Sequence, residues 1–259
     1  MLAVFESTIG KPPEALIIPS GWMVPETRFE VPEICKAAWR DTTFYNFPNG
    51  NFMAFSHVCE NPAHPKSVGR STVVMDDIFC TFRGTIDNIG ELRRHYGLTR
   101  QATEAMLMVE IYKVYRDRAP YPPDQVIKDL SGMFAFVLFD ANRSKLFVAR
   151  DRDGKVKLHW GVTDDDSLVF CDDAEVILDV CGATSTAFPA GCIFMNSDQG
   201  EKLASFDHPL HKVRAIRREN DDGAVIGVFF QVDLFSRLPS IPRVGSEANW
   251  GDAAAPATE

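Results

Sequence analysis

Short apolar runs separated by polar turns dominate this chain, and their spacing predicts strands. The first, Leu2-Ala3-Val4-Phe5, stands at the start of the sequence and reads as a buried strand. "NFMAFSHV" reads as another, followed by "ENPAHPKSVG", a loop whose two prolines exclude it from a central strand. "STVVM" and "IFCTFRG" flank Asp76-Asp77, a hairpin signature. In "MFAFVLFD", Phe134, Phe136 and Leu138 fall on one face and Ala135, Val137 and Phe139 on the other. Both faces are apolar, which an antiparallel strand shows when its sheet is covered on both sides. "KLFVARD", "KLHWGV" and "LVFCDD" continue as a meander with turns at "ANRS", "RDG" and "TDDDS", and "AFPAGCIFM" and "AVIGVFFQV" add late strands.

Helical periodicity lies between these runs. Residues 6–48 read as long surface loops with a helix near "EICKAAWRD". "DNIGELRRHYGL" predicts a helix capped by Asn88, with Glu91 as its capping-box partner and Gly97 as a left-handed terminator. A second helix starts at Thr99, runs through the largely apolar "EAMLMVEIYKVY" and is stopped by "APYPP". "DQVIKDL" and "DAEVILDVC" read as short helices. Two sheets with helices outside each imply an α/β (α+β) fold, a four-layer α/β/β/α sandwich of two antiparallel sheets. One domain over 1–237 is expected, with 238–259, rich in Pro, Ala and acids, as a disordered tail.

Composition narrows the function classes. The 259 residues carry a net charge of −9 and a pI near 5.2, which argues against nucleic acid and anionic membrane as partners. No apolar run reaches the ~20 residues of a membrane span, and the N-terminus lacks the plan of a secretory signal. The cytoplasm is the expected compartment, with the nucleus open to it. Cys35, Cys59, Cys80, Cys171, Cys181 and Cys192 form no CxxC pair and read as reduced, mostly buried thiols. No "SGG" loop for ATP is present, and no cofactor is expected.

Four segments in order, "FRGTIDNIGELR", "DLSGMFAFVLFD", "VARDRDGKVKLHWG" and "FCDDAEVI", resemble the glutaminase domain of class II (N-terminal-nucleophile) glutamine amidotransferases, asparagine synthetase above all. Within that likeness, Tyr96-Gly97-Leu98 and Tyr115-Arg116-Asp117-Arg118 resemble the signatures of the plant aluminium-induced proteins with YGL and LRDR motifs; Tyr115 stands where Leu is usual. The resemblance implies the N-terminal-nucleophile hydrolase fold. It also implies a place in responses to metals, hormones or starvation.

The family's reaction needs an N-terminal cysteine whose own α-amine is the base, an Asn and a Gly N–H for the oxyanion, and an Arg and an Asp for the substrate's two charges. Carried onto this chain, those positions fall on Leu2, on Arg83 and Gly84, on Cys59 and on Ala102. Leu2 has no attacking heteroatom, and its bulk implies that Met1 is retained. A lost oxyanion donor costs about 10²–10³ in rate, and a lost covalent nucleophile about 10⁶ in the serine protease case. The expectation is a pseudoenzyme with no catalytic residues, a vestigial pocket narrowed by Leu2 with no room for glutamine, and Arg83 turned to a carboxylate such as Asp87. Such a protein acts by binding: a protein partner, its own copy or a small anionic metabolite. Two other classes are open to the sequence: an amidohydrolase with Ser7 or Thr8 made N-terminal by clipping, and a metal-binding protein using "TDDDS" (Asp164 to Asp166) and Asp172-Asp173.

The remaining motifs have plain structural readings. "ARDRDG" reads as a charged strand end in which Arg150 or Arg152 meets a carboxylate, and His57, Cys59 and His64 as loop residues with no fourth metal ligand. YGL reads as a helix C-terminus and "YRDR" as a helix end, with Arg116 and Arg118 complementing the dipole or docking a partner.

Overall fold

A computed structural model describes residues 1–17, 26–57, 69–117, 127–197, 200–221, 223 and 225–237. The tail expected at 238–259, the first three residues of the "DQVIKDL" segment, Cys59, His64 and Arg118 lie outside them.

The apolar runs form two six-stranded antiparallel sheets. The first contains β1 (Leu2–Phe5), β2 (Thr42–Asn46), β3 (Phe52–Ser56), β8 (His159–Val162), β9 (Leu168–Cys171) and β10 (Thr186–Ala187), in the order β10-β8-β9-β1-β3-β2. The second contains β4 (Arg70–Met75), β5 (Ile78–Ile86), β6 (Gly132–Asp140), β7 (Lys145–Arg150), β11 (Cys192–Ser197) and β12 (Gly200–Ser205), in the order β12-β11-β7-β6-β5-β4. A separate ribbon pairs β13 (His211–Glu219) with β14 (Val225–Arg237).

Three apolar clusters define four layers. Between the sheets lie Ala3, Phe5, Val137, Phe139, Trp160 and Phe170. The opposite face of the second sheet, with Phe82, Phe136 and Leu138, packs on α2 (Ile89–His95) and α3 (Glu104–Asp117). The outer face of the first sheet, with Leu2, Val4 and Phe52, packs on α1 (Val31–Ala38) and α4 (Ala174–Cys181). The two-sided apolar pattern of β6 follows directly: Phe134, Phe136 and Leu138 meet helices while Ala135, Val137 and Phe139 meet the other sheet. Each burial of a large side chain contributes roughly 1.5–3 kcal/mol before entropy.

Punctuation behaves partly as read. Asp76 and Asp77 both have positive φ, the type I′ geometry of a two-residue hairpin between β4 and β5. Helix α2 ends in a Schellman motif: Leu98 N–H reaches Arg93 O at 2.7 Å and Gly97 N–H reaches Arg94 O at 3.3 Å, with Gly97 at φ 67. Asn88, in contrast, does not cap α2 with its side chain. Its Nδ2 donates to Asp129 O at 2.8 Å and its Oδ1 accepts from Ser131 N–H at 3.0 Å, tying α2 to the loop before β6. The helix expected from Thr99 begins five residues later, at Glu104, with Thr103 Oγ1 accepting from Met106 N–H.

Among the described residues no helix is long and apolar enough to cross a membrane. Cys35, Cys80, Cys171, Cys181 and Cys192 are buried free thiols. Burial pushes the Cys35 and Cys192 thiols up to about 12, so neither is a ready nucleophile.

Candidate functional site

The residue that organises the site is Asp172, the first position beyond β9. Leaving the strand there turns its carboxylate into the body of the protein, where its side chain is 2% exposed. Its Oδ1 accepts from the α-ammonium of Met1 at 2.5 Å, its Oδ2 from Arg83 Nη1 at 2.7 Å, and Arg70 Nη2 lies 3.5 Å from the same oxygen. Its own amide donates to Met1 O at 3.1 Å. Arg70 and Arg83 are direct cross-strand partners on β4 and β5. Like charges in that register repel, so the pair requires an anion, and Asp172 is placed to serve both. Burial pushes the Asp172 carboxyl up, but the α-ammonium, Arg83 and Arg70 together outweigh it and hold the carboxyl below its ordinary value. The centre brings three cations to one buried carboxylate.

The residues expected to mark an old pocket are only partly brought together. Arg83 is at the centre and turns to Asp172, not to Asp87. Gly84 follows it on β5, yet its N–H already donates to Gly69 O at 2.8 Å. Its glycine identity is set by packing: φ is 135, and a Cβ there would stand 2.1 Å from Met133 O. Ala102 is buried ahead of α3, and its carbonyl accepts from Arg93 Nη2.

Leu2 does not narrow the cleft. Strand alternation sends Leu2 and Val4 under α1 and α4, so the side chains between the sheets are those of Met1, Ala3 and Phe5. Nor is the cleft closed. A cavity of about 430 Å³ opens beside Arg83, Lys155 and Lys157, and one of about 310 Å³ beside Arg70, Arg40, Ser56 and Trp39. Asp172 and Asp173 border both. The surfaces are charged and mixed in sign, suited to holding a polar small molecule or a protein side chain.

His159 on β8 is half-buried, and its Nδ1 has no hydrogen-bond partner among the described residues. Burial, then Arg150 and Lys157, lower its pKa, so the ring is neutral near pH 7.

Other motifs resolve into scaffolding. Arg150 of "ARDRDG" meets no carboxylate partner among the described residues; it donates to Val156 O at 2.7 Å, Phe188 O at 2.6 Å and Gly154 O at 2.6 Å. Buried Asp151 closes the same loop by accepting from Phe134, Lys155 and Val156 amides. Arg152 forms the expected pair, with Asp207 at 3.2 Å. In "YRDR", Arg116 pairs with Asp117 at 2.8 Å and approaches buried Asp140, which also accepts from Tyr112 Oη at 3.0 Å. Tyr115 stacks on Phe147. In "TDDDS", Asp165 accepts from Arg28 N–H and Thr163 Oγ1, tying the turn to the loop before α1.

Sequence reasoning noticed Asp172 only as part of an acidic run and missed Arg70. The available signal was position: an acid directly after the four-residue apolar strand "LVFC", which must leave the sheet beside the chain's N-terminus.

A family model described as Aluminium induced protein matches residues 2–232. The stem-specific protein TSJT1 of Nicotiana tabacum is 60% identical over 153 residues, 58% of this chain and 100% of that protein. Asparagine synthetase B (glutamine-hydrolyzing) of Escherichia coli strain K12 is 30% identical over 125 residues, 48% of this chain and 21% of its own length. Among solved structures, the glutamine phosphoribosylpyrophosphate amidotransferase of B. subtilis, complexed with ADP and GMP, superimposes with a TM-score of 0.50 and 13% identity. That match covers 87% of this chain and 55% of the amidotransferase, so the shared unit is part of a longer protein there. The two large sheets and this likeness make the fold that of the class II glutamine amidotransferases, an N-terminal-nucleophile hydrolase fold.

Proposed function

This chain belongs to the aluminium-induced protein family, and we propose that it is a non-catalytic relative of the glutaminases that acts by binding. The observation that carries the reading is the centre at Asp172. The place where a glutaminase keeps a free N-terminal amine and an oxyanion site holds instead an α-ammonium locked on Asp172 and a Gly84 N–H committed to Gly69. An ammonium in an ion pair cannot take a proton from a nucleophile, and Leu2 offers none. The adjoining cavities keep room and charge for a partner side chain or a small metabolite. We place the protein in a metal response, on the strength of the family description, and extend the proposal to stress and hormone responses and to the cytoplasm or nucleus.

Clipping to expose Ser7 or Thr8 is disfavoured by the fold. It would remove β1, which is hydrogen-bonded between β3 and β9 with all four side chains buried. Metal binding by the acidic runs is disfavoured because Asp165 and Asp172 are engaged by Arg28, Arg70, Arg83 and the α-ammonium. The test is incubation of pure protein, its N-terminus verified by intact mass, with glutamine while glutamate and ammonia are measured. The expected result is no release above that of a Leu2→Ala control; turnover above it overturns the reading.

A further inference from the structure

The ribbon of β13 and β14 belongs to neither large sheet, and one of its faces is already covered. Val228 and Phe230 are buried, Phe230 with its ring 5.0 Å from that of Trp160, and Val213 and Val232 pack on the same cluster. Among the described residues nothing covers the opposite face. There Ile216 stands directly across from Phe229, with Arg214 across from Gln231 and Arg218 across from Gly227. Ile216 and Phe229 are exposed, and Phe235, further along β14, is fully so. Isolated exposed apolar residues are ordinary, but a cross-strand pair with an aromatic beyond it makes a patch.

Charge indicates the occupant. Lys212, Arg214 and Arg218 flank Ile216 on this face of β13, with no acid among residues 212–218, in a chain of net charge −9; Arg217 lies on the opposite face, across from Val228. The turn end of the same ribbon is acidic, with Glu219 and Asp221. Arg214 is steadied by Asp233 at 2.7 Å. A surface that is basic along its length, acidic at its tip and apolar between complements itself when two copies lie antiparallel, the tip of each over the basic run of the other. Self-complementarity of that kind is the condition for a two-fold interface. An anionic bilayer fits less well, because the rest of this acidic chain would be repelled by it.

We propose that the outer face of the β13–β14 ribbon is the interface through which two copies of this chain associate about a two-fold axis. The proposal stands apart from the catalytic reading, since an active or inactive site at Asp172 leaves this face unchanged.

The test is sedimentation velocity on the full chain over a concentration series at low and high salt. A dimer is expected, with a dissociation constant raised at least about tenfold by Ile216→Glu or Phe229→Glu. Phe235→Glu serves as the variant least able to disturb folding, and an unchanged melting temperature confirms that the monomers are intact. Lys212→Glu should weaken the dimer, and adding Glu219→Lys with Asp221→Lys should restore it, which only charges apposed between copies explain, since Lys212 and the turn lie at opposite ends of the ribbon. A monomer at every concentration, or a dimer indifferent to all three apolar replacements, overturns the proposal. So does co-sedimentation of the wild-type monomer with phosphatidylserine vesicles that Phe235→Glu abolishes, which assigns the face to lipid.

Discussion

Replacing Asp172 by Asn keeps shape and removes one charge from the most densely ionised point of the structure. The carboxylate meets cations at 2.5, 2.7 and 3.5 Å. At an effective dielectric of about 20, a pair of unit charges ~4 Å apart attracts by roughly 4 kcal/mol. Much of that attraction offsets the several kcal/mol needed to desolvate each buried ion, so the sum of the pairs is not their net worth. Removing the partner exposes the other side of the balance: the α-ammonium and two cross-strand arginines lose the one buried carboxylate that they share. Breaking a buried pair in this way costs about 3–5 kcal/mol. For a chain of this size that is a fall in melting temperature of roughly 6–20 °C. Arg70→Gln, in contrast, takes one of three cations from a single carboxylate and relieves its repulsion with Arg83, so it should cost under about 1 kcal/mol. Thermal and urea unfolding of both variants measure the asymmetry. An Asp172→Asn protein that melts within a degree or two of wild type refutes the reasoning, and so does an Arg70→Gln variant that is the worse of the two.

The acid limb should follow the same group. Asp172 is held below its ordinary value, so its contribution is complete above the unfolded carboxyl pKa of about 3.9 and fades as pH falls through the lower folded value. Urea titrations should therefore show a steeper acid loss in wild type than in Asp172→Asn. His159 acts higher on the scale: its folded pKa is lowered, so the unfolded chain takes up the proton first and stability drops as pH falls below about 6.5. His159→Gln should flatten that step in the same titration. Gly84→Ala forces a side chain onto Met133 O at positive φ and should destabilise by about 3 kcal/mol or more, seen as loss of soluble protein or a large fall in melting temperature. Tyr112→Phe removes a donor from buried Asp140 and should cost about 1–2 kcal/mol by urea unfolding, with the sheets unchanged by circular dichroism.

Legibility followed burial. Strands with two buried faces, such as β6, β7 and β9, announce themselves as unbroken apolar runs, and all were readable. Two strands at the margins were not. β2, "TTFYN", lies at a sheet edge, and β13, "HKVRAIRRE", puts charges on a solvent face, so neither shows an apolar run. Helix ends depended on which partner won. Gly97 terminated α2 as read because its positive φ is a local requirement, while the Asn88 side chain was drawn away by Asp129 and Ser131, more than forty residues on. The site followed the same logic. Arg83 and Gly84 could be located by likeness, but the group that occupies Arg83 comes from Asp172, 89 positions away. The likeness carries the nucleophile position onto Leu2 and so into the cleft, and the run "LAVF", apolar at every position, does not reveal which parity faces which layer.

The position of β1 sets a schedule for the newborn chain. It is synthesised before both of its neighbours, yet it is sandwiched between β3 and β9, and the α-ammonium of Met1 waits for a carboxylate 171 residues downstream. At about 5–20 residues per second, Asp172 is made roughly ten to thirty seconds after Met1. For that interval the strand "LAVF" has at most one of its two flanking neighbours. The first sheet therefore closes only after β9 has been made, with an earlier strand inserted between two later ones, and until then the nascent chain is exposed to chaperones and to mispairing.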